Sequence, residues 1–278
     1  MKKLLYLFST GLLVFTSCTN DYDASCFRKD DGNPIKSDTI SPPKTDTIPV
    51  VIVEPVLLKK LVHTYDNGYA PTIELSYEGN KIVSDKDESN LTFYTYTGDV
   101  ITKIEKADLS GTYMTKEYFY ANGKLDYILS KEFGNYYKTK YLYNADGSSI
   151  SYSRINSDNL GNDGNNTLLS GKYTFSEGKL IRHQINSGSN ESVTTFEYDS
   201  KNNPRLNILG FDLLIDMNQL FAVNNVVKKV VTSKNPTATT TVETTYSYEY
   251  DANGYPVKMI QTTTSGDTIT TESSDFSY

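Results

Sequence analysis

The chain has 278 residues, 37% of them apolar, enough to bury one large all-β domain or two ordinary ones. A net charge of −7 leaves no basic field to collect phosphates, which argues against nucleic acid as a partner. Tyrosine is the outlier, at 23 residues with no tryptophan, and a Tyr- and Thr-rich chain favours strands over helices.

The first element reads as a secretion signal over residues 1–17. Lys2 and Lys3 precede an apolar core, Leu4 to Phe15, that is too short to span a bilayer. It ends at Thr16-Ser17-Cys18, small residues followed by cysteine, which resembles the lipobox of bacterial lipoproteins, although Phe15 stands where leucine is usual. The resemblance implies that Cys18 becomes the mature N-terminus and carries diacylglycerol. A plain signal peptide with an incidental cysteine is the alternative. Each buried methylene contributes about 0.8 kcal/mol, so more than one acyl chain anchors a protein to the membrane without a transmembrane segment. The acidic run Thr19 to Asp23 resembles export tags that carry some Gram-negative lipoproteins outward. The expected location is therefore the outer membrane, lipid-anchored and surface-exposed, with the periplasmic face as the alternative. Cys26 is left without an intramolecular partner and reads as a bystander.

Residues 18–55 read as a tether. Pro34, Pro42, Pro43, Pro49 and Pro55 sit among few large apolar groups, a composition that cannot bury a core. Asp38-Thr39-Ile40 and Asp46-Thr47-Ile48 form a tandem repeat that resembles the O-glycosylation acceptor of some gut anaerobes, which implies sugar on Thr39 and Thr47. Low-complexity drift is the other reading.

Residues 56–278 repeat one phrase and predict a single domain. Strands that alternate tyrosine with polar residues end at a glycine turn, and the last aromatics before each turn are Tyr77, Tyr96, Tyr120, Tyr143, Phe175, Tyr198 and Tyr250. Their usual spacing, about 23 residues, is one hairpin. Seven hairpins predict an antiparallel meander of about 14 strands curled into a barrel or roll. Asn-Gly, Asp-Gly and Glu-Gly pairs supply the positive φ that the turns require. Alternation puts Tyr246, Tyr248 and Tyr250 on one face and Ser247 and Glu249 on the other. It likewise opposes Tyr118 and Tyr120 to Glu117 and Phe119, and Phe196 and Tyr198 to Glu197.

Residues 206–223 break the pattern with an apolar excursion that contains Asp212 and Asp216. A barrel of this size leaves an interior that its own side chains cannot fill. The excursion is expected to enter it as a partly helical plug; a helix lying over one open end is the alternative.

Tyr248-Glu249-Tyr250-Asp251 with Gly254 resembles the tyrosine-aspartate repeat of bacterial Rhs proteins and teneurins, without the Rhs arginine. A closer resemblance rests on Tyr198, Asp199, Lys201, Asn203 and Pro204, followed after the excursion by Asn224 and Asn225. These residues are similar to those of an uncharacterised family of anaerobe surface lipoproteins with a porin-like fold. That likeness implies a fold and a compartment, and no activity. Glu117, Lys140, Glu197 and Glu249 on the non-tyrosine face argue against a lipid-embedded porin, since midplane charge costs about 2–4 kcal/mol for lysine and somewhat less for glutamate.

Catalytic and metal signatures are absent from the sequence. His63 and His183 stand alone on strand-like runs and read as surface or half-buried residues. There is no Gly-x-Ser-x-Gly elbow or phosphate loop, and nothing implies a cofactor. Asp158 and Asp163 could offer oxygen ligands, but Leu160 fills a ligand position of the calcium loop, so the segment reads as a hairpin tip. Paired carboxylates could converge as in glycosidases, and nothing selects a pair. The expected function is a non-catalytic binding module whose tyrosines suit sugar rings. A structural or adhesive protein that contacts another surface protein is the alternative, and a glycan-active hydrolase is the third reading.

Overall fold

The computed structural model describes residues 54–217 and 223–278. The signal segment, Cys18, Cys26, Thr39 and Thr47 lie outside the described residues.

Sixteen antiparallel strands follow one another around a closed barrel. They are β1 (Lys60–Thr64), β2 (Thr72–Glu78), β3 (Lys81–Lys86), β4 (Leu91–Thr97), β5 (Val100–Asp108), β6 (Gly111–Ala121), β7 (Lys124–Glu132) and β8 (Asn135–Tyr143). The second half comprises β9 (Ser149–Ser157), β10 (Asp163–Ser176), β11 (Lys179–Ser187), β12 (Asn190–Asn202), β13 (Asn224–Lys234), β14 (Thr239–Tyr250), β15 (Pro256–Ser265) and β16 (Thr268–Ser277). Seven repeats account for fourteen of these strands. The eighth unit is split between the two ends of the domain, because β16 closes on β1 with Leu61 opposite Phe276 and His63 opposite Ser274.

Two stacked rings hold the end of the barrel where the repeated turns lie. One consists of an inward apolar residue at the start of each returning strand: Ile82, Ile101, Leu125, Leu180 and Pro256 are almost fully buried, and Leu58 takes the same role before β1. The other ring is aromatic and is fastened to the first by its hydroxyls. Tyr77 donates to the Leu58 carbonyl at 2.7 Å, Tyr120 to Ile101 at 2.8 Å and Tyr198 to Leu180 at 2.7 Å. Tyr248 donates to Val226 at 2.8 Å and Tyr278 to Pro256 at 2.9 Å. Each phenol thus reaches the hairpin before its own. Burial raises the pKa of these phenols, Tyr77 and Tyr198 included, so they stay protonated donors.

A β-bulge recurs at the same place in the repeat. Register slips between Ser76 and Tyr77, Thr95 and Tyr96, Phe119 and Tyr120, Thr174 and Phe175, and Glu249 and Tyr250. The returning strand carries the extra residue, so its inward positions run first, fourth and sixth instead of first, third and fifth. Ile101 and Ile104, Leu125 and Ile128, and Leu180 and His183 are therefore buried together.

The excursion between β12 and β13 enters the turn end as a plug. Among its described residues it is helical in a 3-10 turn at Phe211–Leu213 and again over 215–217. Ile208, Phe211, Leu214 and Ile215 are buried in one cluster with the aliphatic ring. At about 1.5–3 kcal/mol each, their burial contributes on the order of 6–12 kcal/mol as an upper bound. Gly210 permits the closest approach: it has φ 70°, and a Cβ there would stand 2.7 Å from the Asp99 carbonyl oxygen. Leu209 N–H donates to the Asn80 carbonyl at 3.0 Å, and Tyr96 donates to that of Leu209 at 3.0 Å. Lys116 on the β6 inner wall reaches the plug carboxylate of Asp216 at 2.7 Å.

The outer wall is polar. Glu117, Lys140, Glu197 and Glu249 are all exposed on it, as alternation requires. Lys228 and Glu243 pair across adjacent strands at 3.0 Å.

Candidate functional site

A cavity of about 270 Å³ lies between the plug's first residues and the inward faces of β13 to β16. Pro204 and Arg205 form its floor, and Lys229, Tyr246, Met259 and Gln261 stand on its walls. The bulge brings two of these residues inward. Val226 faces the barrel interior, and slipped pairing then puts Lys229, opposite the inward Phe196, on the same face. Pro256 and Met259 repeat this relation on β15.

Three polar groups of the cavity have no protein partner among the described residues. They are the Tyr246 hydroxyl, the Lys229 amine and the Arg205 guanidinium, which only approaches the Phe211 ring at 5.8 Å. Most other inward tyrosines have spent their hydroxyls on the wall. Burial pulls the Lys229 amine below its ordinary pKa. Burial, helped by the Glu272 charge, pushes the Tyr246 phenol up to about 12. Tyr246 is thus a neutral donor at physiological pH.

His183 is buried, not at the surface, and its Nε2 lies 2.7 Å from the Tyr152 hydroxyl. Tyr173 stacks on it with ring centroids 4.3 Å apart. Burial lowers its pKa to about 4, so it is a neutral packing residue. His63 lies on the inner wall between Ser274, whose Oγ is 2.9 Å from Nδ1, and Glu272, 3.4 Å from Nε2. Serine, imidazole and carboxylate in a row is the order a hydroxyl nucleophile uses. Two features argue against that chemistry. Ser274 is 2% exposed, and the residues around it are paired in the β1–β16 and β15–β16 ladders, which leaves no free amide to stabilise an oxyanion.

Asp158 and Asp163 are brought near each other, but both are occupied. Asp158 accepts from the Leu160 and Asn162 backbones at 2.9 Å each, and Asp163 pairs with Lys138 and Lys140. The Asn162 side-chain amide, which donates to Asp158 at 2.7 Å, and the Lys140 and Lys138 amines beside Asp163 hold the two carboxyls below the usual range. Their loop is folded against the outer wall, where Gly161 packs on Leu129. No group of three or more His, Cys, Asp or Glu side chains able to hold a metal occurs among the described residues.

Sequence reasoning finds Tyr246 through the ladder and misses Lys229, Arg205 and Gln261. The one signal for Lys229 is the i, i+3 spacing after each turn, which the bulge produces.

No family model and no curated protein matches the chain. A solved structure does: the chain is similar to a porin-like protein from Bacteroides uniformis ATCC 8492, with a TM-score of 0.51 and 11% identity over 81% of this chain and 99% of that one. At that identity the likeness concerns architecture alone, and what this chain shares with that protein is a porin-like β-barrel.

Proposed function

We propose that the protein is a non-catalytic binding barrel that takes a small hydroxylated ligand, in the first instance a sugar, into the cavity above its plug. The observation that carries this reading is the Tyr246 hydroxyl, an inward phenol with no protein partner among the described residues, beside an unfilled space. A phenol offers a sugar both a flat apolar face and a hydrogen-bonding tip. The exposed charges of the outer wall support a barrel that stands in water, since repeated midplane charges at about 2–4 kcal/mol for each lysine would oppose insertion. On this reading the barrel is held at the outer membrane by lipid on Cys18, through a tether glycosylated at Thr39 and Thr47. Titrating the mature protein with a panel of monosaccharides, followed by NMR shifts of the β13–β15 amides, tests the site. Shifts that Tyr246→Phe weakens several-fold are expected; amides that no sugar moves would end this reading.

A second reading, contact with another surface protein, draws on the end of the barrel opposite the plug. Leu109, Phe133 and Ile269 there are 101%, 79% and 67% exposed. If that rim is an adhesive surface, Leu109→Ser with Phe133→Ser should abolish crosslinking to a neighbour on intact cells and leave the cavity unaffected.

Cys18→Ala should move the protein from the membrane fraction to the soluble one, and unchanged partitioning would contradict lipidation. Intact mass of the mature chain should exceed the acylated mass by glycans on Thr39 and Thr47; bare threonines would remove that assignment.

A further inference from the structure

The cavity is asymmetric in charge, and that asymmetry selects among hydroxylated ligands. Arg205 rises from its floor and Lys229 stands on its β13 wall, both lacking a carboxylate partner among the described residues. Two other inward cations of the wall are neutralised. Lys116 is held by Asp216 at 2.7 Å and Arg154 by Glu132 at 2.7 Å. The nearest inward acids are also engaged. Glu272 accepts from Gln261 at 3.1 Å and faces His63, and Asp85 accepts from Tyr94 at 2.6 Å. A half-buried lysine and arginine left uncompensated at one cavity is a costly arrangement for the empty protein, and an incoming anion relieves it.

Resting on the binding role proposed above, we infer that the cavity recognises a small sugar acid, its carboxylate between Arg205 and Lys229 and its hydroxylated ring against Tyr246. The apolar sides of Met259 and Tyr248 complete a mixed surface suited to the C–H face of such a ring. At about 270 Å³ the space falls below the roughly 300–1,000 Å³ common for drug-sized ligands, so it fits a single ring unit. Arginine provides the planar two-point contact that a carboxylate prefers, and lysine adds a point charge.

The test compares glucuronate, glucose and acetate on the full mature protein by calorimetry and by the β13–β15 amide shifts. Glucuronate is expected to bind at least tenfold more tightly than glucose or acetate. Lys229→Gln should remove most of that preference, and Lys229→Arg should restore part of it. Equal binding of glucuronate and glucose would overturn the charge assignment and leave the cavity's role in sugar binding intact. Acetate binding as tightly as glucuronate would reduce the site to a simple anion hole and overturn the sugar-acid inference. If none of the three moves the inner-wall amides, both the inference and the binding role fall.

Discussion

Gly171 on β10 tests whether the inner wall is as tightly fitted as its contacts imply. It pairs directly with Tyr152 of β9, whose ring lies over it and reaches His183 beyond. A Cβ at this position would fall against Tyr152 Cζ and Oη and stand 2.5 Å from the Gln184 carbonyl oxygen. The ring can tilt away, but the carbonyl belongs to the β10–β11 ladder and can move only with its strand. Overpacking of this kind costs about 1–3 kcal/mol, and displacing the Tyr152–His183 hydrogen bond adds about 1 kcal/mol. Gly171→Ala should therefore destabilise the barrel by about 2–4 kcal/mol, a fall in Tm of about 5–15 °C for a domain of this size. Urea and thermal melts by circular dichroism measure both. Pairing the change with Tyr152→Val should recover about 1 kcal/mol or more, since the two sites share one space and their effects should not add. A Gly171→Ala protein within about 0.5 kcal/mol of the parent would show that the tyrosine-over-glycine arrangement carries no packing constraint.

Lys116→Met leaves the Asp216 carboxylate, whose Oδ1 is buried without a partner, held only by Tyr118 at 3.2 Å. The loss should be roughly 3 kcal/mol, the low end for breaking a buried pair, with Asp216→Leu in the same chain recovering most of it in urea melts. His183 supplies a pH dependence with a definite sign. Its folded pKa, about 4, lies below the ordinary 6.5, so as pH falls through that window the unfolded chain takes up a proton that the folded one refuses. Stability should drop by up to about 3 kcal/mol across it, and His183→Asn should flatten that part of the profile. A fluorophosphonate probe should leave the protein unlabelled, because Ser274 is 2% exposed; labelling that Ser274→Ala abolishes would make the protein a hydrolase.

The wall of the barrel is legible in the sequence because it repeats. A phenol before each turn and an aliphatic residue after it are local signals, and together they give strand direction, turn position and the inward face of the outgoing strands. The eighth hairpin is hidden because its halves, Leu58 to Thr64 and Asp275 to Tyr278, lie at opposite ends of the domain and meet only when the barrel closes. The inward face of the returning strands is hidden for a different reason. Strict alternation from Leu180 puts Arg182 inside and His183 outside, and one extra residue at the turn reverses both. The same slip conceals Lys229. Period-two reading therefore holds up to each turn and is off by one after it, an error that falls on the residues of the candidate site.

The proposed site lies where the repeat is interrupted. Fifteen strand-to-strand junctions and a closure build the wall from equivalent hairpins. The excursion after β12 has no such equivalent. It fills the turn end with Ile208, Phe211, Leu214 and Ile215, and its first residues, Asn203 to Arg205, form the floor of the cavity. Plug and binding floor are thus one segment, anchored at its start by Asn203 N–H on the Val223 carbonyl at 2.9 Å and near its end by Asp216 on Lys116. On the proposed binding role, a ligand on Arg205 would bear on the start of the segment whose later part Asp216 holds, so loosening that latch is expected to weaken the seat. The coupling runs both ways by linkage. Lys116→Met should therefore lower sugar-acid affinity although Lys116 does not line the cavity, whereas an equally destabilising change on the far wall, such as Gly171→Ala, should not. Equal losses of affinity in the two variants would reduce the plug to a passive filler.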